Sequence, residues 1–278
     1  MTNLQQTPII GIDRGASFTD FAVMESGIIE EIFSIEKRDW KSIGSVFNRL
    51  VQKYQTHHIV FTGSTTEIPV AIEQQVKMIS EIDAIGFGGS ALLNSSDCIV
   101  VSMGTGTAIV HFSNNRAQHV GGTGVGGGTI KGLSSLMCHM EDPSRIEALA
   151  LKGKASKVNL TLSDLGYDEL SFLGADMTAS NFAAVKSKKP EDLAAGILLL
   201  VGETVGIIAS ICAREFSCQD RIVIVGKVAK NKYVRHILER VGKLYQTSFS
   251  FPPKPGYATV YGAVVKYLFD NGYDILRA

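Results

Sequence analysis

Two glycine-rich runs, close together and each set beside apolar segments, constrain this chain more than any other feature. The first lies in Val101–Phe112, which reads V-S-M-G-T-G-T-A-I-V-H-F. The second is Val120–Gly132, which reads V-G-G-T-G-V-G-G-G-T-I-K-G. Apolar, β-branched stretches flank Gly104-Thr105-Gly106-Thr107, so this loop joins two strands. Gly121–Gly128 opens the segment Thr129–Met140, which reads as a helix. Glycine tolerates the tight backbone that a phosphate requires, and N–H groups at a helix start attract anions. A hairpin with an ordinary glycine turn explains either run alone. Two such loops this close point to a nucleotide held between strands and a helix.

The surrounding segments repeat a pattern. Ile9–Ile12, Phe18–Met24 and Ile28–Ile35 read as strands with short polar turns between them. Ile43, Val46, Phe47, Leu50, Val51 and Tyr54 then recur at helical spacing. His58–Thr62 reads as a strand that ends in Gly63-Ser64. The later part repeats this order, with strands at Cys98–Met103, Ala108–Phe112 and Arg116–Val120, then helices. A strand at Arg221–Val225 follows and ends in Gly226-Lys227. Two β-β-β-α-β-α units in tandem imply an α/β fold, duplicated, with a cleft between its halves. Further helices are expected at Pro143–Lys152, Thr178–Val185, Glu191–Phe216, Lys230–Leu244 and Ala258–Phe269. Leu160–Gly174 is the least regular stretch. The pattern breaks at Asn94-Ser95-Ser96-Asp97, which divides the chain into residues 1–95 and 96–278. A chain of 278 residues suits two such units.

Charge excludes some partners. Lys+Arg and Asp+Glu both total 27, so nothing draws the chain to nucleic acid or to an anionic membrane. Lys186, Lys188 and Lys189 read as a solvated loop before Pro190. Cys98, Cys138, Cys212 and Cys218 contain no C-x-x-C pair and no Cys/His grouping with metal spacing, so they read as reduced thiols. Met1–Thr7 is polar and has no apolar signal core. The long apolar stretch Leu193–Ala213 is broken by Glu203, Thr204 and Ser210, and reads as a buried helix rather than a membrane span. The expectation is a cytoplasmic protein with neither a membrane nor a nucleic-acid partner.

Several blocks together carry a family resemblance. They are Gly11-Ile12-Asp13-Arg14-Gly15-Ala16-Ser17, Glu81-Ile82-Asp83-Ala84, the two glycine runs and Asp176-Met177-Thr178-Ala179-Ser180-Asn181-Phe182. Ala213-Arg214-Glu215-Phe216, Ile224-Val225-Gly226 and Tyr261-Gly262-Ala263 complete the set. In order and spacing they resemble the type II pantothenate kinases, within the superfamily of actin, the hexokinases and the heat-shock chaperone ATPases. The resemblance implies duplicated actin-like ATPase (ribonuclease H-like) domains, with a nucleotide cleft between them and dimerisation helices in the second. It implies transfer of the ATP γ-phosphoryl group to the primary hydroxyl of pantothenate, the first step toward coenzyme A. It also implies Mg2+, a homodimer and a cytoplasmic location.

The resemblance assigns roles residue by residue. Asp13 would hold the magnesium ion, with Arg14, Gly15 and Ser17 near the phosphates. Without the resemblance, Asp13 reads equally as a turn-stabilising residue. Glu81 matches the catalytic glutamate that accepts the hydroxyl proton; by spacing alone it reads as an exposed residue at a helix start. Gly104, Thr105, Gly106 and Thr107 would face the phosphates. Gly126, Gly127, Gly128 and Thr129 would bring nucleotide charge to a helix N-terminus. Lys131 points to nucleotide or to solvent. Lys227 matches a position at the nucleotide, or else marks a surface turn. Asp176 and Thr178 match a block near the substrate pocket, and Thr178 also reads as a helix N-cap.

Three departures stand out. Family members carry a glycine and a threonine where this chain has Ala16 and Ser17. Asp20 stands where they carry a phosphate-facing lysine. A carboxylate there repels triphosphate unless a cation intervenes, and Arg14 or Lys227 is the available source of positive charge. The ending Ser17-Phe18-Thr19-Asp20 resembles the hydantoinase and oxoprolinase branch of the superfamily. His119 occupies the place of an arginine that grips the acid substrate, and Arg116 lies three residues earlier. Two alternatives follow: a kinase of the same fold for another hydroxylated small molecule, or a low-turnover sensor of nucleotide or acyl-coenzyme A. Intact Glu81 argues against the sensor. The ATPases that activate dehydratases through an iron–sulfur cluster are set aside, because no cysteine sits in a glycine-flanked loop.

Overall fold

The computed structural model describes residues 6–36, 40–63, 76–170 and 173–273. Residues 1–5 of the polar N-terminus, together with Ser64 and Gln75, lie outside them. Strands β1 (Ile9–Arg14), β2 (Thr19–Glu25) and β3 (Ile28–Ile35) form an antiparallel meander. Helix α1 (Trp40–Tyr54) crosses to β4 (His58–Gly63), which lies parallel to β1, and β5 (Val76–Met78) follows in parallel. The sheet order is therefore β3-β2-β1-β4-β5. On α1, Ile43, Phe47 and Leu50 fall on one face and cover Ile10, Ile12, Phe21 and Phe61.

The second sheet repeats this plan. β6 (Asp97–Met103), β7 (Thr107–Ser113) and β8 (Arg116–Thr123) form a meander, and β13 (Ile222–Val225) and β14 (Phe249–Ser250) run parallel to β6. The order is β14-β13-β6-β7-β8, the first sheet's arrangement read from the other end. The duplication expected from the sequence is present.

Helices α2 (Glu81–Leu93) and α7 (Ala258–Asp270) lie between the sheets. α7 packs Ala263, Val264 and Leu268 on β1 and β4, while Ala258 and Val265 reach Val100 and Val223 of the second sheet. The two helices cross at glycines: a Cβ on Gly262 would lie 1.9 Å from the Ala84 carbonyl oxygen, and one on Gly88 would lie 2.1 Å from that of Ala258. The other face of the second sheet is covered by α3 (Gly127–Cys138), α4 (Pro143–Ala150), α5 (Pro190–Glu215) and α6 (Lys232–Tyr245). α5 is long and apolar enough to cross a membrane, yet Leu198, Val201, Val205 and Ala209 are fully buried in this core. All four cysteines are free thiols, and Cys98 and Cys218 are buried.

Several boundaries move, and one element differs in kind. α2 begins at Glu81 rather than Asp83, because Ser80 caps it by accepting the Asp83 N–H at 3.0 Å. α3 begins two residues before Thr129. The helix expected at Thr178–Val185 is absent. Thr178–Ser180 is instead a short strand, β12, paired with β9 (Leu160–Thr161). Between them in the chain lie the short strands β10 (Glu169–Leu170) and β11 (Leu173–Gly174). The Asn159 side chain accepts the Phe182 N–H at 3.0 Å, and Phe182 has φ of 57°, which an α-helix cannot contain. Thr178 is therefore not a helix N-cap.

Candidate active site

Strand register places a row of polar side chains across one face of the first sheet. Asp13 lies directly opposite Asp20 on β2 and Thr62 on β4, and Asp20 lies opposite Ser34 on β3. Partners directly opposite share a face. The row is thus Ser34, Asp20, Asp13, Thr62, and Asp13 belongs to a strand rather than a turn. Gly63 has φ of 97°, and a Cβ there would lie 2.6 Å from Asp13 Oδ1, so only glycine leaves room for this carboxylate. Among the described residues, the buried Thr62 hydroxyl has no hydrogen-bond partner.

The Asp13 carboxyl is pushed up to about 7. Burial is the largest cause, and the charges of Asp20 and Glu81 add to it, while Lys227 opposes it. These four groups therefore share one electrostatic neighbourhood. Glu81 is exposed, as the first residue of α2. The cap of that helix is supplied by Ser80 with Asp83, which leaves the Glu81 carboxylate out of it.

The glycine loops pack on each other. Gly127 N–H donates to the Gly104 carbonyl and Gly128 N–H to that of Thr105, both at 2.8 Å. A Cβ at Gly126 or Gly127 would lie 2.7 Å from Gly106 O or 2.8 Å from Gly104 O, respectively. Thr107 Oγ1 donates to Val125 O at 2.8 Å, and Gly126 N–H donates to Thr129 Oγ1 at 3.2 Å. Two helix-start amides expected to face phosphate are thus engaged by the first loop. The second run's glycines permit this close loop-to-loop contact, and the threonine hydroxyls secure it. Thr105 remains exposed, and its Oγ1 lies 3.3 Å from Ser17 Oγ of the first half. This contact joins the turn after β1, where Gly15 N–H donates to Phe18 O at 2.9 Å, to the first glycine loop. Arg14 is half-buried at the end of β1.

Lys227 follows β13 and is not a solvated turn residue. Its Nζ donates to Asp20 Oδ1 and to Ser34 Oγ, each at 2.7 Å. The acid that departs from the family pattern is therefore paired with a lysine from the other half of the chain. Of the two cations expected to offset Asp20, Arg14 and Lys227, it is Lys227 that pairs with it; Ser34 and Thr62 were not singled out in the sequence. Strand alternation alone could have put Ser34 on the face of Asp20.

Lys131 is exposed and pairs with Glu141 at 3.3 Å. His119 is exposed on β8, and its Nε2 lies 3.5 Å from where a Cβ on Gly122 of the second glycine run would stand. Arg116 sits opposite Ser113, six positions along β7 from the Thr107–Thr123 pair that adjoins the glycine loops. That separation is about 20 Å along the strand. Asp176 pairs with Arg240 at 3.2 Å, and Thr178 Oγ1 donates to Glu203 Oε1 at 3.3 Å. Asp176 and Thr178 line a separate cavity of about 370 Å³, beside Tyr233 and His236. Burial pushes the Glu203 carboxyl up. The fold also gathers Asp97, His111 and Cys218, with donor atoms within 4.8 Å of one another, a grouping that sequence spacing did not reveal. Arg221 already donates to Asp97 at 3.1 Å and to Cys218 at 3.7 Å.

A family model described as Fumble matches residues 93–266, more than half of the sequence. The chain belongs to the Fumble family. The match begins at the end of α2, so Asp13 and Glu81 fall outside it. The type II pantothenate kinase of Oceanobacillus iheyensis is 28% identical over 270 residues, covering 92% of this chain and 98% of that protein. Among solved structures, the activator of 2-hydroxyisocaproyl-CoA dehydratase from Clostridium difficile, with bound ADPNP, aligns with a TM-score of 0.65 at 16% identity over 95% of each chain. A ROK family protein from Streptococcus pneumoniae, in complex with sucrose, aligns with a TM-score of 0.63 at 12% identity, over 95% of this chain and 99% of that one. This member of the Fumble family thus has the duplicated ATPase fold seen in the dehydratase activator and the ROK family protein.

Proposed function

We propose that this chain transfers the γ-phosphoryl group of ATP to the primary hydroxyl of pantothenate, giving 4'-phosphopantothenate in the first step toward coenzyme A. Membership of the Fumble family and the names of its relatives support the reaction. The observation that carries the site is the row Ser34, Asp20, Asp13 and Thr62, with Lys227 paired to Asp20 and seated on two interlocked glycine loops.

In this reading Thr105, Ser17 and the glycine-loop backbone receive the phosphates. Glu81 accepts the proton of the attacking hydroxyl, as phosphoryl transfer to an alcohol requires. The donor set fits a hydrated divalent cation. Asp13 is a carboxylate whose proton a cation would displace, and Thr62 is an orphaned hydroxyl on its face. Bound there with ATP, magnesium would neutralise charge on the β- and γ-phosphates. Lys227 adds a fixed cation from the opposite wall. The protein is read as a cytoplasmic homodimer. Balanced charge supports the absence of a nucleic-acid partner, and the core packing of α5 the absence of a membrane one.

His119, in place of the usual arginine, favours one second reading: a kinase of the same architecture acting on another hydroxylated molecule. An ADP-release assay over pantothenate, pantetheine and simple sugars separates the two. Magnesium-dependent ADP release with pantothenate as the preferred acceptor is the expected result. Release with a sugar and none with pantothenate would retain the nucleotide site and remove this substrate.

A further inference from the structure

The Lys227 ammonium is held on several sides. Asp20 Oδ1 and Ser34 Oγ each accept from Nζ at 2.7 Å, and Ser34 donates in turn to the same Asp20 oxygen. The Tyr257 ring centroid lies 4.2 Å from Nζ and that of Phe18 5.5 Å. An ammonium has three donors, and this triangle uses two.

The chain on either side of Lys227 is seated on the glycine loops. Gly226 has φ of 91°, and a Cβ there would lie 2.4 Å from Met103 O, the residue before Gly104. Val228 Cγ2 would lie 3.2 Å from a Cβ on Gly127. Lys227 is therefore fixed at its base by the loops and at its tip by β2 and β3. Asp20 is buried and sits opposite Asp13, so its carboxylate has little freedom to move.

We propose that Asp20 is a positioning residue: with Ser34 it fixes the Lys227 ammonium at the nucleotide cleft, so that the cation facing the phosphates comes from the opposite half of the molecule. This rests on reading the cleft as an ATP site. Alone, Asp20 would repel a triphosphate; paired, it is neutralised. A flexible lysine loses rotamer freedom when it meets a phosphate. Asp20 imposes that order before the nucleotide arrives.

A double-mutant cycle tests the proposal. Binding of a non-hydrolysable ATP analogue with magnesium, together with kcat and KM for ATP, is measured in wild type, Asp20→Asn, Lys227→Met and the double variant. Asp20→Asn is expected to weaken analogue binding and to lower kcat/KM by about tenfold. In the Lys227→Met background the same change causes no further loss. Asp20→Glu recovers part of the wild-type value. Ser34→Ala, which keeps every charge, is the second variant and shows a smaller loss that likewise vanishes without Lys227. Losses from Asp20→Asn and Lys227→Met that multiply independently would overturn the proposal, as would unchanged or tighter binding in Asp20→Asn. A wild-type protein that binds no analogue would instead overturn the nucleotide reading itself.

Discussion

A carboxyl group that titrates near neutrality responds to whatever cation reaches it. Asp13 departs from its ordinary value of 3.8 to about 7, chiefly through burial. Between those values the folded protein holds a proton that the unfolded chain releases. The associated stability is complete below about pH 4 and is lost as pH rises through about 7. Asp13→Asn removes this dependence. In urea titrations with chelator present, its stability relative to wild type should be higher at about pH 8 than at about pH 4. Parallel profiles for the two proteins would show that Asp13 is not the buried, charge-crowded group described. Asp13, Glu81 and Lys227 were singled out only through the family resemblance; by spacing alone Asp13 reads equally as a turn residue, Glu81 as an exposed helix-start residue and Lys227 as a surface turn. The Asp20–Lys227 pair was legible only in part: Lys227 and Arg14 were the two cations available to offset Asp20, and folding selects Lys227. Its members lie 207 residues apart, and nothing local records a partnership formed by folding.

Elements were legible where periodicity was strong. The strands of both meanders and the buried helix α5 lie where alternation or apolar runs placed them. Thr178–Val185 failed because its order comes from outside: the Asn159 side chain and the partner strand β9 set that backbone, not its own spacing. Glycines were read in the sequence as phosphate contacts. In the structure many of them serve close packing of elements, as between the two loops and between α2 and α7. The crossing gives a direct comparison. Gly262→Ala puts a methyl group against the Ala84 carbonyl and should cost about 1–3 kcal/mol. Gly44→Ala, on α1 with nothing within 4 Å of the new methyl group, should be neutral or stabilise by up to about 1 kcal/mol. Urea denaturation measures both. Equal effects would remove the close crossing as a constraint on the interface between the sheets.

The whole molecule places two equivalent sheets around a shared pair of helices, with the groups of the proposed site drawn from both halves. Asp13 and Asp20 come from the first sheet, Lys227 and the glycine loops from the second, and Glu81 from the helix between them. No segment holds a complete site, so the sequence could name the parts without showing how their charges balance. In the proposed reading, phosphoryl transfer depends on one group, Glu81, that acts only in the transition state. The direct test uses purified wild-type and Glu81→Gln protein with magnesium-ATP and pantothenate, and follows phosphopantothenate by mass spectrometry beside calorimetric nucleotide binding. The expected result is product from wild type, at least about tenfold less from Glu81→Gln, and similar nucleotide affinity in both. Equal product from the two proteins, or none from wild type that still binds ATP, would contradict it.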